Sequence, residues 1–388
     1  GTIILIYFLT KEISLAKDKD SKQLIWLPVL SMLCLATTQY FLKYASHAMT
    51  DVPFTFFFTL ALYFYVRSWR NSLFLLASGI GIGLATLTRS PMGLFPLGIL
   101  IFHLILSRRF KLLFSVYFIG CFLLTLAIPA IWYLQQYYLF GDLFINRHFA
   151  NIIGHSATTQ ARSSAQQFLW YFEYIFLIVK SYFPWFPLMF YGLFLTIRNL
   201  KREKNTDSEI LLIVWFLVVL IPFSLADSKV LRYILPVFPA LAIFSAYSMI
   251  TLISPKYLLK LSQAVVLLLA IAAFIIVGFP NYLLRAEDMH QLSSISDAAT
   301  EPNEKVVLFT SGELHWNYQN QLLWYGNRNT ILIKDIKEIE SLLSDKKQLT
   351  TIMDKTTFAN LVKQTDFRII SLGESKKFVC FLVSIKPN

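Results

Sequence analysis

The sequence has few cysteines, and their placement excludes small domains that are held together by disulfides or metal. Three occur in 388 residues: Cys34 and Cys121 lie inside apolar runs, and Cys380 lies in the C-terminal region. No CxxC pair is present. We therefore infer neither a disulfide framework nor a structural metal site.

Charged residues are also scarce. They make up 15% of the chain, whereas 56% is hydrophobic and 16% aromatic, and the mean hydropathy is +0.56. No soluble globular domain needs so much apolar side chain, so the composition predicts a polytopic helical membrane protein. The formal net charge of +12 does not indicate nucleic-acid binding, because most basic residues among the first 280 positions lie in short loops. Membrane orientation and anionic lipid headgroups explain them there.

Apolar segments recur along the first 280 residues. With about 20 residues per span as the measure, we expect about ten spans, near 1–16, 24–45, 52–67, 73–89, 91–106, 112–134, 168–197, 209–226, 230–250 and 259–279. A long outer loop is expected over 135–167. The chain opens at Gly1 in an apolar segment without the n-region of a signal peptide, and we expect that it starts partway into a longer protein.

Alternate loops differ in charge, which predicts their side of the membrane. One set is basic, and by the positive-inside rule it faces the cytoplasm: Lys11, Lys17, Lys19, Lys22; Arg67, Arg70; Arg108, Arg109, Lys111; Arg198, Lys201, Arg202, Lys204; Lys256, Lys260. The opposite set faces outward and carries Asp51, Arg89, His148, His155, Lys229 and Arg232. Polar groups near lipid are costly, so their gathering on one face suggests a site.

An acid and several cations suit group transfer from a phosphate leaving group. Cations would stabilise charge on the phosphate, and a carboxylate could take the acceptor's proton. Each residue also has a plainer interpretation. Asp51 could be a helix N-cap, Arg89 could extend to the outer interface, and Lys229 and Arg232 could pair with Asp227 or with lipid phosphates. Taken alone, these residues indicate an outward polar site and not a reaction.

Residues 281–388 differ in composition and predict a second domain. Short β-rich runs lie at Val306–Thr310, Thr330–Ile333, Thr350–Met353, Phe367–Leu372 and Phe378–Ile385, with helical patterns at Lys337–Leu343 and Thr356–Lys363. Strands that alternate with helices indicate a small α/β domain, and span parity places it outside the membrane. No Gly-rich phosphate loop precedes its helices, so no nucleotide site is expected there.

Four stretches of the sequence contain most of the outward residues. They are AMTDVPFTFF (48–57), GLATLTRSPMGL (83–94), FINRHF (144–149) with WYF (170–172) and PW (184–185), and SKVLRYILPVFPAL (228–241). Together they resemble motifs of the integral-membrane glycosyltransferases of the C-type fold. The nearest likeness is to the dolichyl-phosphate-mannose protein mannosyltransferases and the bacterial lipid A aminoarabinose transferases (glycosyltransferase family 39-like). Arg89 stands where this family more often has Lys, which keeps the charge but alters its geometry.

The resemblance implies an inverting glycosyltransferase in a bacterial inner membrane. Its donor would be a sugar on a polyprenyl phosphate, and its acceptor a lipid, a glycan or a protein on the extracytoplasmic face. Asp51 would orient or activate the acceptor, while Arg89, Lys229 and Arg232 would hold the donor phosphate. His148 and Tyr233 would contact substrate from the outer loops.

The family's first outer loop carries the acid expected to act as catalytic base, and it would precede Gly1. The resemblance implies no cofactor, and no cluster of metal ligands stands out in this sequence. That outer loop could hold a divalent metal. Membrane lipids are the other expected partners, and nucleic acid is not one.

Two rival functions stay open. A transporter or flippase of lipid-linked sugars would also be polytopic and basic. Transport pathways, however, usually place ionisable groups at mid-depth, and the hydropathy pattern shows no internal repeat. A non-catalytic assembly protein, with its tail domain bound to a partner, is the third interpretation.

Membrane topology gives the first test. Reporter fusions after Arg202 should report the cytoplasm, and fusions at Ser163 or Thr300 the outer side, because span parity separates these positions. Alkaline phosphatase and fluorescent-protein activities measure the two outcomes. An outward signal at Arg202 would contradict the placement of every outer residue named above.

Overall fold

The computed structural model describes residues 1–17, 24–45, 49–148, 164–202, 206–226, 229–278, 287–301, 304–309, 315–326, 328–333, 335, 337–345, 348–364 and 367–385. The chain divides into two compact units, Gly1–Leu268 and Leu269–Asn388. The sequence predicted the boundary after residue 280, twelve residues further along. The observed division falls inside the last long apolar helix.

The first unit is helical throughout its described length. Its helices, with the one that continues into the second unit, are α1 (Thr2–Lys17), α2 (Leu27–Ala36), α3 (Gln39–Ala45), α4 (Asp51–Ser68), α5 (Phe74–Thr88), α6 (Phe95–Leu106), α7 (Val116–Phe140), α8 (described over 142–148), α9 (Ser164–Ser181), α10 (Phe186–Leu200), α11 (Asp207–Leu225), α12 (Phe238–Leu252) and α13 (Pro255–Gly278). Short 3-10 helices precede α2, α6, α7 and α12, at Leu24–Trp26, Met92–Leu94, Phe110–Phe114 and Leu231–Val237.

Three helices among the described residues are long and apolar enough to cross a membrane: Val116–Phe140, Asp207–Leu225 and Leu231–Leu252. A fourth is counted if α2 and α3, which meet at a 66° bend, form one broken span. Phe74–Thr88, Met92–Leu106 and Phe186–Leu200 are shorter apolar helices. The helical architecture is as expected, and the number of ten spans stays a prediction.

Two boundaries differ from the expected ones. The apolar run 168–197 forms two helices, α9 and α10, because Pro184 and Pro187 lie between or just inside them and a proline cannot donate a helix hydrogen bond. The prediction of a loop from residue 135 is wrong over its first part, where α7 continues to Phe140 and α8 covers 142–148. Gln135 and Gln136 are good helix formers and do not end α7. Residues 149–163, with His155, lie outside the described residues.

The second unit contains a mixed five-stranded sheet. Its elements are α14 (Glu287–Ala298), β1 (Val306–Phe309), α15 (His315–Gly326), β2 (Thr330–Ile333), α16 (Lys337–Asp345), β3 (Gln348–Asp354), α17 (Lys355–Gln364), β4 (Arg368–Glu374) and β5 (Phe378–Ser384). The strand order is β2-β1-β3-β5-β4. β2, β1 and β3 are parallel, and β5 runs antiparallel to both β3 and β4. All five strands lie where the sequence predicted them.

Two ionisable side chains in this unit, Asp354 and Cys380, stabilise its fold. The Asp354 carboxylate accepts the backbone N–H of Thr357 at 3.0 Å and so caps α17. Partial burial raises the pKa of Asp354, but hydrogen bonds from Thr356 and Thr357 outweigh it and leave the pKa below its ordinary value. Burial raises the pKa of the Cys380 thiol to about 12, which makes this cysteine an inert packing residue.

A tight connection between α5 and α6 sets the position of Arg89. The Arg89 backbone N–H donates to Ala85 O at 2.9 Å, and the Gly93 N–H donates to Arg89 O, also at 2.9 Å. A Cβ on Gly93 would overlap the backbone of Thr86 and Ala85. Only glycine therefore lets the chain fold back closely enough to keep this turn.

We predict that Gly93→Ala destabilises the protein by roughly 1–3 kcal/mol, since the added methyl group meets backbone atoms that cannot give way. The matched control is Gly98→Ala on α6, where a Cβ would lie 3.8 Å from Val218 Cγ1 and in ordinary contact. That change should be neutral or slightly stabilising, because alanine favours a helix more than glycine does. Thermal unfolding in detergent compares the two variants, and equal melting temperatures would contradict the prediction.

Candidate functional site

Asp51 is the first residue of α4 and is nearly buried, at 3% exposed. Thr50 takes the N-cap position of α4 and Asp51 follows it, so Asp51 is not the N-cap residue. Its carboxylate forms an ion pair with Arg89, and its other oxygen lies 4.0 Å from Nε of Arg232. A negative charge in the first turn is also favoured by the helix dipole.

Arg89 points into the protein at the end of α5. It is the residue after the last α5 turn, its backbone is no longer helical, and its side chain is 16% exposed. The guanidinium faces the Tyr233 ring, 4.5 Å from the ring centroid, in a cation–π contact. Arg89 thus contacts the acid of one predicted motif and the tyrosine of another.

Arg232 and Tyr233 lie on the 3-10 helix Leu231–Val237 that leads into α12. The Arg232 side chain is 33% exposed, and its guanidinium lies 5.7 Å from the Tyr233 ring centroid. The structure therefore brings together Asp51, Arg89, Arg232 and Tyr233. We call these four residues the Asp51 cluster.

The Asp51 cluster has an excess of positive charge. One carboxylate faces two guanidinium groups, so the formal sum is one positive charge. Arginine keeps its charge when buried and presents a planar fork of donors that matches phosphate and carboxylate oxygens. The partly exposed Arg232 is the group best placed to receive an anion, while Arg89 is held between Asp51 and Tyr233.

Lys229 lies beside the cluster but has another set of partners. Its ammonium donates to three backbone carbonyls at the C-terminal end of α11: Phe223 O at 2.8 Å, Ser224 O at 2.5 Å and Ala226 O at 2.9 Å. A lysine has three N–H donors, and a cation at a helix C-terminus is favourable. In this conformation Lys229 secures the end of α11.

Two aromatic residues of α9 adjoin Lys229. The ammonium lies 5.5 Å from the Trp170 ring and 5.2 Å from the Tyr174 ring. Both residues belong to the aromatic stretch 170–174. Such a stretch is as typical of anchors at the membrane interface as of a substrate site. The spacing of the aromatic residues does not distinguish these two roles, so Tyr174 was not among the predicted site residues.

His148 belongs to an aromatic group at the end of α7 and in α8. Its Nε2 lies 3.1 Å from the Tyr133 hydroxyl, its ring stacks on Phe144 at 5.3 Å, and Trp132 is 6.2 Å away. These contacts are with residues of α7 and α8, and none is with a residue of the Asp51 cluster. His155 and Asp227 lie outside the described residues. Across the described ranges, no group of three His, Cys, Asp or Glu residues could hold a metal ion.

Comparison with known proteins gives a family match for part of the chain and a match of fold for the whole. Residues 21–133 match the family model for dolichyl-phosphate-mannose-protein mannosyltransferase, a range that includes Asp51 and Arg89. The whole chain superimposes on the crystal structure of ArnT from Cupriavidus metallidurans bound to undecaprenyl phosphate, with a TM-score of 0.69 over 84% of that chain. The predicted family resemblance is confirmed. The apo form of ArnT gives a TM-score of 0.66 over 83% of its chain. Both are 14% identical to this chain, so they establish the C-type fold alone.

Two relatives come from Aquifex aeolicus (strain VF5), and each is an uncharacterized protein. One is 32% identical over 253 residues, which are 63% of this chain and 46% of the relative. The other is 28% identical over 251 residues, which are 64% of this chain and 52% of the relative. The chain therefore spans about half the length of these relatives.

The Asp51–Arg89 ion pair predicts strong energetic coupling between the two residues. Asp51→Asn and Arg89→Gln should each destabilise the protein by several kcal/mol, because each leaves a buried charge with one partner fewer. The double variant should be less destabilised than the sum of the two, by about 1–3 kcal/mol. Denaturant unfolding of the four proteins measures the coupling.

The control for this cycle is the Glu12–Arg70 pair, which is 3.2 Å long with the Arg70 side chain 50% exposed. A surface pair of this kind should couple by less than about 1 kcal/mol. Additive effects at Asp51 and Arg89, or equal coupling in the two pairs, would show that the Asp51–Arg89 ion pair does not stabilise the fold.

Proposed function

We propose that this protein transfers a sugar from a polyprenyl-phosphate-linked donor to an acceptor on the extracytoplasmic face of a bacterial inner membrane. The observation that carries the proposal is that Arg89 and Arg232 approach separate oxygens of Asp51, while both guanidinium groups lie near the Tyr233 ring. The family match over residues 21–133 and the ArnT-like fold support it. The polyprenyl chain of the donor would lie in the bilayer and its sugar phosphate in the polar site.

Arg232 is the proposed primary ligand of the donor phosphate. It is the more exposed of the two arginines, so a phosphate can reach it without breaking the contacts that bury Arg89. Arg89 would add a second positive charge at short range. As the sugar leaves, negative charge builds on the phosphate oxygen, and preorganised cations stabilise that charge.

Asp51 would orient the arginines and the acceptor. One of its oxygens pairs with Arg89 and the other lies 4.0 Å from Arg232, so the carboxylate keeps lone pairs for a further hydrogen bond. A carboxylate held in this way fixes the direction of the cations and can accept one further hydrogen bond from an acceptor. We therefore assign Asp51 to positioning more than to proton removal.

The proposed reaction is a single displacement with inversion. A lone pair of the acceptor attacks the anomeric carbon from the face opposite the phosphate, and the bond from that carbon to the phosphate oxygen breaks. Polyprenyl phosphate leaves with the bonding electrons, and the acceptor's proton passes to a base. The acceptor can be a lipid, a glycan or a protein.

Binding of undecaprenyl phosphate tests the proposal. Arg232→Ala should weaken this binding tenfold or more, since a charge-assisted hydrogen bond contributes on the order of 1.5–3 kcal/mol. Arg232→Lys should recover only part of the loss, because a point charge cannot replace a planar fork. Titration of purified protein in detergent micelles, followed by microscale thermophoresis, measures the affinity.

Lys201→Ala is the matched control. Lys201 is an exposed cation that follows α10, in a loop predicted to face the cytoplasm. Its removal should leave binding unchanged. If Arg232→Ala binds like the wild type, or if Lys201→Ala weakens binding equally, the phosphate site lies elsewhere.

A further inference from the structure

The segment between α11 and the 3-10 helix Leu231–Val237 is held at two neighbouring residues. Lys229 is fixed to the last carbonyls of α11, as described above. Val230 is fixed to α9: its N–H donates to the Tyr174 hydroxyl at 3.1 Å, and that hydroxyl donates to Val230 O at 3.2 Å. Tyr174 is fully buried and Val230 is half-buried, so these bonds are partly shielded from water.

The same backbone position supports the Asp51 cluster. Val230 O also accepts the N–H of Tyr233 at 2.9 Å, which begins the 3-10 helix. A continuous series of contacts therefore runs from the Tyr174 hydroxyl through Val230 to Tyr233, and from the Tyr233 ring to Arg89. Arg232 lies within this series, two residues after the point that Tyr174 holds.

The geometry of the segment has a clear consequence for anion binding. Val230 is in extended geometry, with φ −128° and ψ 119°, and the bond from Tyr233 N–H to its carbonyl leaves its own N–H to be fixed from outside the segment. The Tyr174 hydroxyl supplies both of the bonds that a neighbouring strand would supply. Without them, the direction in which the 3-10 helix leaves this segment would vary, and Arg232 and Tyr233 would vary with it.

We propose that Tyr174 is a positioning residue for the donor phosphate, acting through Val230 on Arg232 and Tyr233, with Lys229 as the second anchor of the same segment. The proposal rests on the proposed function for its ligand. It assigns to Lys229 an anchoring role where the family resemblance implied a direct phosphate contact. Tyr174 itself touches neither Asp51 nor the phosphate position in this scheme.

The alternative is that Tyr174 is simply a well-packed core tyrosine. The chain offers a matched control for that alternative in Tyr182, which follows α9 directly, is also fully buried and has its hydroxyl 3.3 Å from Ser245 Oγ. Tyr182→Phe and Tyr174→Phe each remove one buried hydroxyl and keep the ring. Only Tyr174→Phe removes bonds to the segment that carries Arg232.

The experiment compares these two variants in the intact protein with two readouts. The first is hydrogen–deuterium exchange of peptides that cover 229–237, which does not depend on any substrate. Tyr174→Phe should increase exchange there, while Tyr182→Phe should leave it unchanged. The second is binding of undecaprenyl phosphate, which should weaken about tenfold in Tyr174→Phe, since two hydrogen bonds at about a factor of three each are lost, and less than twofold in Tyr182→Phe.

The outcomes separate the two proposals. If wild-type protein does not bind undecaprenyl phosphate, the proposed function fails, and the exchange data alone decide whether Tyr174 anchors the segment. Unchanged exchange over 229–237 in Tyr174→Phe overturns the inference whatever the binding shows. Faster exchange with wild-type affinity also overturns it, because Arg232 would then be positioned without Tyr174.

Discussion

A carboxylate cannot remain ionised among apolar helices unless cations lie against it, and this constraint organises the first unit. The cost of burying the charge of Asp51 is offset only by close, well-directed partners. Arg89 supplies the first and Arg232 the second. Arg89 follows α5, and Arg232 lies in the 3-10 helix that precedes α12. The ion pairs therefore connect the start of α4, the end of α5 and the entry to α12.

Other features of the fold serve to keep these partners in place. Gly93 permits the tight turn after α5 that directs Arg89 inward, and Tyr233 receives the Arg89 guanidinium on its ring. Lys229 and Tyr174 hold the segment that precedes Arg232. The result is a cationic site whose charges are fixed before any ligand arrives, which is the condition for efficient electrostatic stabilisation of a leaving phosphate.

Some of this could be predicted from sequence and some could not, for physical reasons. The five strands of the second unit follow from short β-branched runs between turns, and the helices of the first unit follow from apolar length. The apolar run 168–197 was predicted as one span, although it forms α9 and α10. Hydropathy alone does not show that prolines end the first helix and start the second. The helices α14 and α15 were missed, since their hydrophobic periodicity is weaker than that of α16 and α17, which the sequence predicted.

The site divides in the same way. Asp51, Arg89, Arg232 and Tyr233 were selected by motif, and the structure brings the four together. Lys229 was selected by the same motif, yet its partners are carbonyls exposed only once α11 has ended, which no residue pattern specifies. Tyr174 gave no signal, because an aromatic residue at a membrane interface and one inside a site have the same local sequence.

Whether the Asp51 cluster holds the donor's phosphate can be seen in a structure of the protein with undecaprenyl phosphate bound, in lipid nanodiscs. We expect phosphate density within hydrogen-bonding distance of the Arg232 guanidinium. Phosphate density elsewhere, with Arg232 and Arg89 making the same contacts as before and no others, would contradict this expectation.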